Sequence, residues 1–311
     1  MMLTIERFNK THTAVWNDFL SPAKNGLFLF NRSYMEYHED RYVDHSLMVY
    51  NSAKLLALFP ANEKDGIIYS HAGLTFGGVI LSPEIKTSET MQVFDSIINY
   101  FRDLGFAELI YKAIPYIFHR LPAQEDLYSL TRNNAKLYRR DVSSVIDLSN
   151  SPRFSETKRR VMKKCIQAGV IVQEQEDLSA YWPLLESVLS KFSVKPVHSL
   201  HEITKLRTNF KSQIRLFEAS LDGELLAGIL LYDYGQVVHT QYMANSIQGR
   251  TMGALDFLNF TLIHEQFNSR KFYSFGISTE KDGKYLNEGL IQQKERMGGR
   301  AVVHDFYKIT L

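Results

Sequence analysis

The chain has 311 residues, 45% hydrophobic and 23% charged, the balance of a globular protein with a buried core, which excludes a disordered or collagen-like chain. At about 100–200 residues per domain, this length implies roughly two domains. The formal charge of +2 conceals an asymmetry: residues 132–164 hold ten Lys/Arg against three acids (Asp141, Asp147, Glu156), or +7, which leaves −5 for the rest. Such a segment either faces a polyanion (nucleotide, coenzyme or RNA) or is a solvated basic helix face. Cys165, the single cysteine, allows no internal disulfide and no cysteine-based metal cluster, as in a reducing compartment. No stretch approaches the roughly 18 apolar residues of a membrane span, and Met1 to Lys10 lacks the apolar core of a secretory leader, so a cytoplasmic protein is expected.

In chain order, the pattern predicts an amphipathic helix over Thr13 to Asn25, then the polar segment Tyr37 to His45. Strands are expected at Leu47 to Tyr50, Lys54 to Leu58 and Ile67 to Tyr69, followed by a glycine-bearing loop from His71 to Gly78. Met91, Phe94, Ile98 and Phe101 keep helical spacing, and Leu109 to Tyr111 reads as a further strand. The polar stretch Ser149-Asn150-Ser151-Pro152 marks a junction, with domains over 1–150 and 151–311. The same plan then recurs. A helical stripe runs from Leu178 to Phe192 and a second helix from Ser199 to Asn209; strands follow at Leu216 to Ala219, Glu224 to Gly228 and Val237 to His239. Lys54 and Ile67 answer to Glu224 and Val237 at a common offset of 170, the signature of an internal repeat. Asp222-Gly223 is a favoured hairpin turn. The loop Gln248 to Gly253 precedes a helix carrying Leu255, Leu258 and Leu262, and Phe272 to Phe275 closes the plan as a strand.

A helix, a hairpin with a third strand, a glycine loop opening a helix, and another strand: twice over, this resembles the GNAT acyltransferase fold, and the duplication resembles the Fem-type branch of that superfamily. Arg139 to Leu148 with Lys158-Arg159-Arg160 and Lys163-Lys164 is similar to that branch's link between domains. Phe272-Tyr273-Ser274-Phe275-Gly276 is similar to its aromatic-Asp-Phe-Gly strand, with Ser274 in place of the acid, and Leu286 to Gly299 to its closing helix. The resemblance implies an α/β protein of two tandem GNAT-like domains, each a mixed sheet flanked by helices. It also implies transfer of an acyl group from a thioester, acetyl-CoA or another acyl-CoA, to an amine on an amino sugar or another cell-envelope precursor. Branch members that draw on aminoacyl-tRNA supply the alternative, in which the +7 segment is an RNA footprint; the helical-hairpin arm of some of them has no counterpart here. A GNAT-like binding module without catalysis is the other alternative.

The superfamily's coenzyme loop, Gln/Arg-x-x-Gly-x-Gly/Ala, is matched from Arg250 through Gly253 but ends in Leu255. Small residues there let backbone N–H groups and a helix N-terminus approach a pyrophosphate. Gln248, Gly249, Arg250, Thr251 and Gly253 are thus the coenzyme candidates, against a plain strand-to-helix turn. Acyl transfer also needs a proton for the leaving group and donors for an oxyanion. Where GNAT proteins often carry a tyrosine, four residues before a glycine of the closing helix, this chain has Lys294 before Gly298; it is either an acid or a surface lysine pairing with Glu295 or Glu288. Tyr242 is the second acid candidate or a core tyrosine, and Glu280 a base or an exposed carboxylate. The segment 37–45 lacks the His-Glu-x-x-His spacing of a zinc helix, so no metal is expected, and Asp44, His45 and His71 are read as acceptor contacts. Arg159, Lys195 and His198 complete that set, each equally compatible with a solvated or structural role.

Overall fold

A computed structural model describes residues 3–150 and 154–311, so part of the expected junction, Ser151 and Pro152, lies outside the described residues. Two compact units divide the chain: Met1–Asp141 with Lys281–Lys284 and Val303–Leu311, and Val142–Glu280 with Tyr285–Val302. This division differs from a contiguous split at 150, because the chain's last strand pairs with a strand of the first unit.

The first unit contains β1 (Leu3–Arg7), α1 (Thr13–Leu20), α2 (Arg32–Met35), β2 (Val43–Asp44), β3 (Leu47–Asn51), β4 (Lys54–Phe59), β5 (Asn62–Lys64), β6 (Ile67–Tyr69), β7 (Ile80–Leu81), α3 (Thr87–Asp103), β8 (Glu108–Lys112) and α4 (Glu125–Arg132). One antiparallel sheet has the order β1-β3-β4-β7. In the other, β5 pairs antiparallel with β2 and β6, and β6 runs parallel to β8. Here the structure departs from the expected plan: Ile67–Tyr69 is not the third strand of the hairpin. Pro60 follows β4, and lacking an N–H it ends the ladder; β7 then pairs with β4 through Ala57↔Leu81 and Leu58↔Ile80. The glycine loop therefore leads into β7, and α3 starts only later. On α3 the buried Val93, Phe94, Ile97, Ile98 and Phe101 face a core shared with Val49, Phe59 and Tyr111, as the spacing of Phe94, Ile98 and Phe101 requires.

The chain crosses between units within β9 (Lys136–Asp147). The second unit adds α5 (Glu156–Gln167), β10 (Ile171–Gln175), α6 (Tyr181–Ser190), α7 (Leu200–Asn209), β11 (Ile214–Leu221), β12 (Glu224–Asp233), β13 (Val237–Asn245), α8 (Ile247–Met252), α9 (Ala254–Thr261), β14 (Phe272–Ile277), β15 (Thr279–Glu280), β16 (Tyr285–Leu286) and α10 (Glu288–Glu295). Its sheet has the order β10-β11-β12-β13-β14-β9. All neighbours in it are antiparallel except β13 and β14. Asp222 (φ 50) and Gly223 (φ 82) both turn through positive φ between β11 and β12, the geometry of a two-residue hairpin loop. Phe257, Leu258, Leu262 and Ile263 pack with Phe217, Leu231, Val238 and Tyr273 in the core. The last strand, β17 (Arg300–Thr310), returns to the first unit and runs antiparallel to β8. Among the described residues no helix is long and apolar enough to cross a membrane.

The first core holds one titratable pair. The Tyr111 hydroxyl donates to Asp126 Oδ2 at 2.7 Å and accepts the Val79 N–H at 3.0 Å. Burial pushes the Asp126 carboxyl up to about 6. Its folded pKa thus exceeds its unfolded value near 3.9, so its contribution to stability is fully present below that value and is lost as pH rises to about 6. The loss is of order 3 kcal/mol. Asp126→Asn keeps the acceptor and removes the titration. Its melting temperature relative to the parent is expected to rise between pH 4 and pH 7; a constant difference would contradict this reading.

Candidate functional site

The second unit's sheet opens at one place. The parallel ladder of β13 and β14 comprises Val237↔Phe272, Val238↔Tyr273 and His239↔Ser274. Beyond it β13 continues to Asn245 and β14 to Ile277 without pairing with each other. Both strands carry the cause. Against β12, Leu230 faces Tyr242 and Leu231 faces Thr240, so Gln241 is the extra residue of a bulge, which bends and twists its strand. In β14 the register with β9 slips between Ser274 and Ile277, and Gly276 has φ 73. The carboxyl ends of parallel strands, where neighbours part, are where α/β sheets bind ligands. At the head of this opening the buried His239 Nδ1 lies 3.0 Å from Ser274 Oγ, and Thr240 Oγ1 donates to the Ser274 carbonyl at 3.4 Å.

Lys294 is on α10 but not on its surface. It is 3% exposed, and Nζ donates to the Gly276 carbonyl (2.9 Å), the Ile277 carbonyl (2.7 Å) and Ser278 Oγ (2.9 Å). It therefore pairs with neither Glu288 nor Glu295, and the expected surface alternative is wrong. Burial lowers its pKa to about 8, yet its three N–H donors all go to the segment that ends β14. The geometry is that of a clamp holding the diverging strand end. Glu280 is exposed and accepts from Asn287 Nδ2 at 2.8 Å, tying down the residue that caps α10.

Tyr242 and His198, named separately from the sequence, meet. The phenolic oxygen accepts the Val197 N–H (3.1 Å) and the His198 N–H (3.4 Å) and lies 2.8 Å from His198 Nδ1. Trp182 packs edge-on against the ring. Burial raises the phenol's pKa, so it stays a neutral strut that fixes the loop before α7 to β13. Lys195 in that loop is exposed, as is Arg159 on α5.

The coenzyme-loop residues are not in a loop. Gln248, Gly249, Arg250 and Thr251 form α8, whose N-cap Ser246 accepts the Gly249 N–H at 3.0 Å. Gly253 (φ 81) joins α8 to α9, and a Cβ there would stand 2.3 Å from Val161 Cγ1 of α5. Around the same point Lys158 forms an ion pair with Asp256 in the first turn of α9, and Cys165 Sγ contacts the Met252 carbonyl at 3.4 Å. A pyrophosphate cradle needs open space before a helix N-terminus; here Val161 and Lys158 of α5 lie against the Gly253 turn and the first turn of α9. These residues do not fit acyl-CoA in the way the motif implies, and Arg250 and Thr251 point outward from α8 as exposed side chains.

In the first unit, Asp44 and His71 border one cavity. His45 does not join them: it is buried, with Nδ1 2.6 Å from Glu63 Oε2 and Nε2 3.4 Å from the Tyr100 hydroxyl. Among the described residues no group of three His, Cys, Asp or Glu is placed to hold a metal ion. Sequence reasoning missed Arg32, which donates to the Asp44 carboxylate and to Glu36 Oε1 (3.1 Å). It also missed Lys112, whose Nζ reaches the carbonyls of His71 (3.2 Å), Ala72 (3.0 Å) and Leu74 (2.7 Å). Neither had a local signal. If Tyr242 is a strut, Tyr242→Phe removes the acceptor of two backbone N–H groups and is expected to cost about 1–3 kcal/mol. Amide exchange at Val197 and His198 would quicken. Unchanged exchange there would show that the loop is held by something else.

No family model matches the sequence, and no curated protein does. Solved structures do match. One described as FemX has a TM-score of 0.70 at 11% identity, over 99% of this chain and 97% of that one. L-PGS from Bacillus licheniformis gives 0.64 at 11% identity, over 98% and 92%. A tandem GNAT protein from the clavulanic acid biosynthesis pathway gives 0.52 at 9% identity, over 99% and 98%. At these identities the likeness concerns the fold. The chain is a mixed α/β protein with a tandem GNAT-like fold.

Proposed function

We propose that the protein is an acyltransferase of Fem type, moving an aminoacyl group from the ester of an aminoacyl-tRNA to an amine. One observation carries the choice of donor: the start of α9, where a coenzyme pyrophosphate would lie, is closed by α5, and the outer face of α5 bears Arg159, Arg160, Lys163 and Lys164, all exposed. Like charges at i,i+4 on a helix repel, and a polyanion relieves that repulsion. The likeness to the structure described as FemX supports this side of the Fem resemblance.

In the transfer, a neutral amine attacks the ester carbonyl. A C–N bond forms, the C–O bond to the tRNA's terminal ribose breaks, and the proton lost by the amine is restored on the ribose hydroxyl. The site's part is positioning and charge stabilisation. The edge of β13 beyond Thr240, released from β14, offers backbone N–H groups to the ester carbonyl and to the oxyanion formed from it. His239 and Ser274 are the polar side chains at the head of that edge.

Fluorescence anisotropy with charged tRNA tests the reading. Affinity is expected to fall steeply with salt, and the triple variant Arg159→Ala, Lys163→Ala, Lys164→Ala to reduce the slope of log K against log[salt] by about 2. Absence of tRNA binding, together with micromolar binding of acetyl-CoA at one site per chain by calorimetry, would return the assignment to a thioester donor.

A further inference from the structure

The first unit holds a cavity of about 200 Å³ bordered by Phe8, Arg32, Glu36, Tyr42, Asp44 and His71, smaller than the roughly 300 Å³ at which sites for drug-sized ligands begin. Lys10 and Glu39 stand at its edge. Three carboxylates therefore face two cations. The cations are already engaged: Arg32, 4% exposed, is bonded to Asp44 and Glu36 and stacks 3.7 Å from the centre of the Phe8 ring, while Lys10 lies 3.4 Å from Glu39 in the open. The carboxylates retain capacity, since each can accept about four hydrogen bonds. Glu36 begins a 3-10 turn and Glu39 caps it; side chains three apart eclipse in that helix, so both lie on one side.

His71 is the second, independent sign. It is 4% exposed, borders the cavity, and its Nδ1 has no hydrogen-bond partner. Its backbone is left-handed (φ 61), a conformation non-glycine residues avoid. The surrounding contacts enforce it: Lys112 binds the carbonyls of His71, Ala72 and Leu74, and the Ala72 N–H donates to Asn62 Oδ1 at 2.7 Å. Two residues on, only glycine fits, because a Cβ on Gly73 would be 2.3 Å from His38 Nε2 and 2.6 Å from Tyr42 Cε2. Strain of this kind persists where a site over-determines it. Burial, with the neighbouring His38, Lys112 and Arg32, holds the imidazole's pKa well below its usual value. The ring is neutral and does not repel a cation.

We infer that this cavity binds the ammonium group of a small amine of about amino-acid size, held by Glu36 and Glu39 against Tyr42 and His71. The inference concerns ligand chemistry within the first unit and is independent of the acyl donor proposed above.

The test is a titration of the ¹⁵N-labelled full chain with L-alaninamide, its uncharged analogue N-acetyl-L-alaninamide, and acetate. Alaninamide is expected to shift the amide signals of Phe8, Tyr42 and His71 saturably, and the acetylated analogue to bind at least about tenfold more weakly, the loss of a charge-assisted hydrogen bond. Glu36→Gln is expected to weaken binding to a similar degree. Glu39→Gln, on the exposed rim, leaves the fold intact and is expected to weaken it several-fold. No shift with alaninamide, equal shifts with the acetylated analogue, or shifts with acetate alone would each overturn the assignment.

Discussion

The contact between Val161 and Gly253 fixes how α5, α8 and α9 of the second unit pack together. Gly253 turns through positive φ so that α8 can end and α9 begin within one residue, and α5 closes over that turn with Val161, Lys158 and Cys165. Any side chain at 253 would collide with α5, so the close approach of two helices and the left-handed turn are one constraint. The result is a helix N-terminus sealed by protein where a GNAT coenzyme would need it open. The same helix that seals it turns its basic residues outward. One packing arrangement thus sets both the cover over the Gly253 turn and the outward direction of the basic side chains.

The opening in the sheet is held by different means. A bulge at Gln241 turns β13, Gly276 releases β14, and Lys294 fixes the released end by spending its ammonium on two carbonyls and a hydroxyl. Lys112 does the comparable work in the first unit, on the carbonyls around Ala72. In both cases a buried charge is tolerated because its donors are satisfied. Burial lowers each lysine's pKa to about 8, the cost that the bonds offset.

Much of the fold was legible because its causes are local. Helical spacing revealed α3 and α9, and Asp222-Gly223 marked its hairpin, since φ and side-chain period are read within a few residues. The error in the first unit came from Pro60, whose missing N–H diverts the strand after it and admits β7 in its place. The segment after β13 is a helix where a loop is expected, because glycines that admit a phosphate also admit a helix; Ser246, a good N-cap followed by Gly249, is its sign in the sequence. Lys294 also left a trace, falling three residues after Ile291 and three before the buried Met297. Tyr242 with His198, and Arg32 with Asp44, left none: these pairs are made by tertiary folding between distant segments. Asp44 and His71 border one cavity, whereas His45 faces Glu63 because adjacent residues of an extended segment point to opposite sides.

The sealing of α9 is the central claim, and hydrogen exchange by mass spectrometry reads it directly. The peptides covering Gly249 to Phe257 and those covering α5 would be followed with the protein free, with saturating acetyl-CoA and with charged tRNA. No change at Gly249 to Phe257 with acetyl-CoA, and slowed exchange in α5 with tRNA, are the expected results. Protection of the first turn of α9 by acetyl-CoA would contradict the claim, because it would mean that α5 yields and the coenzyme site is real.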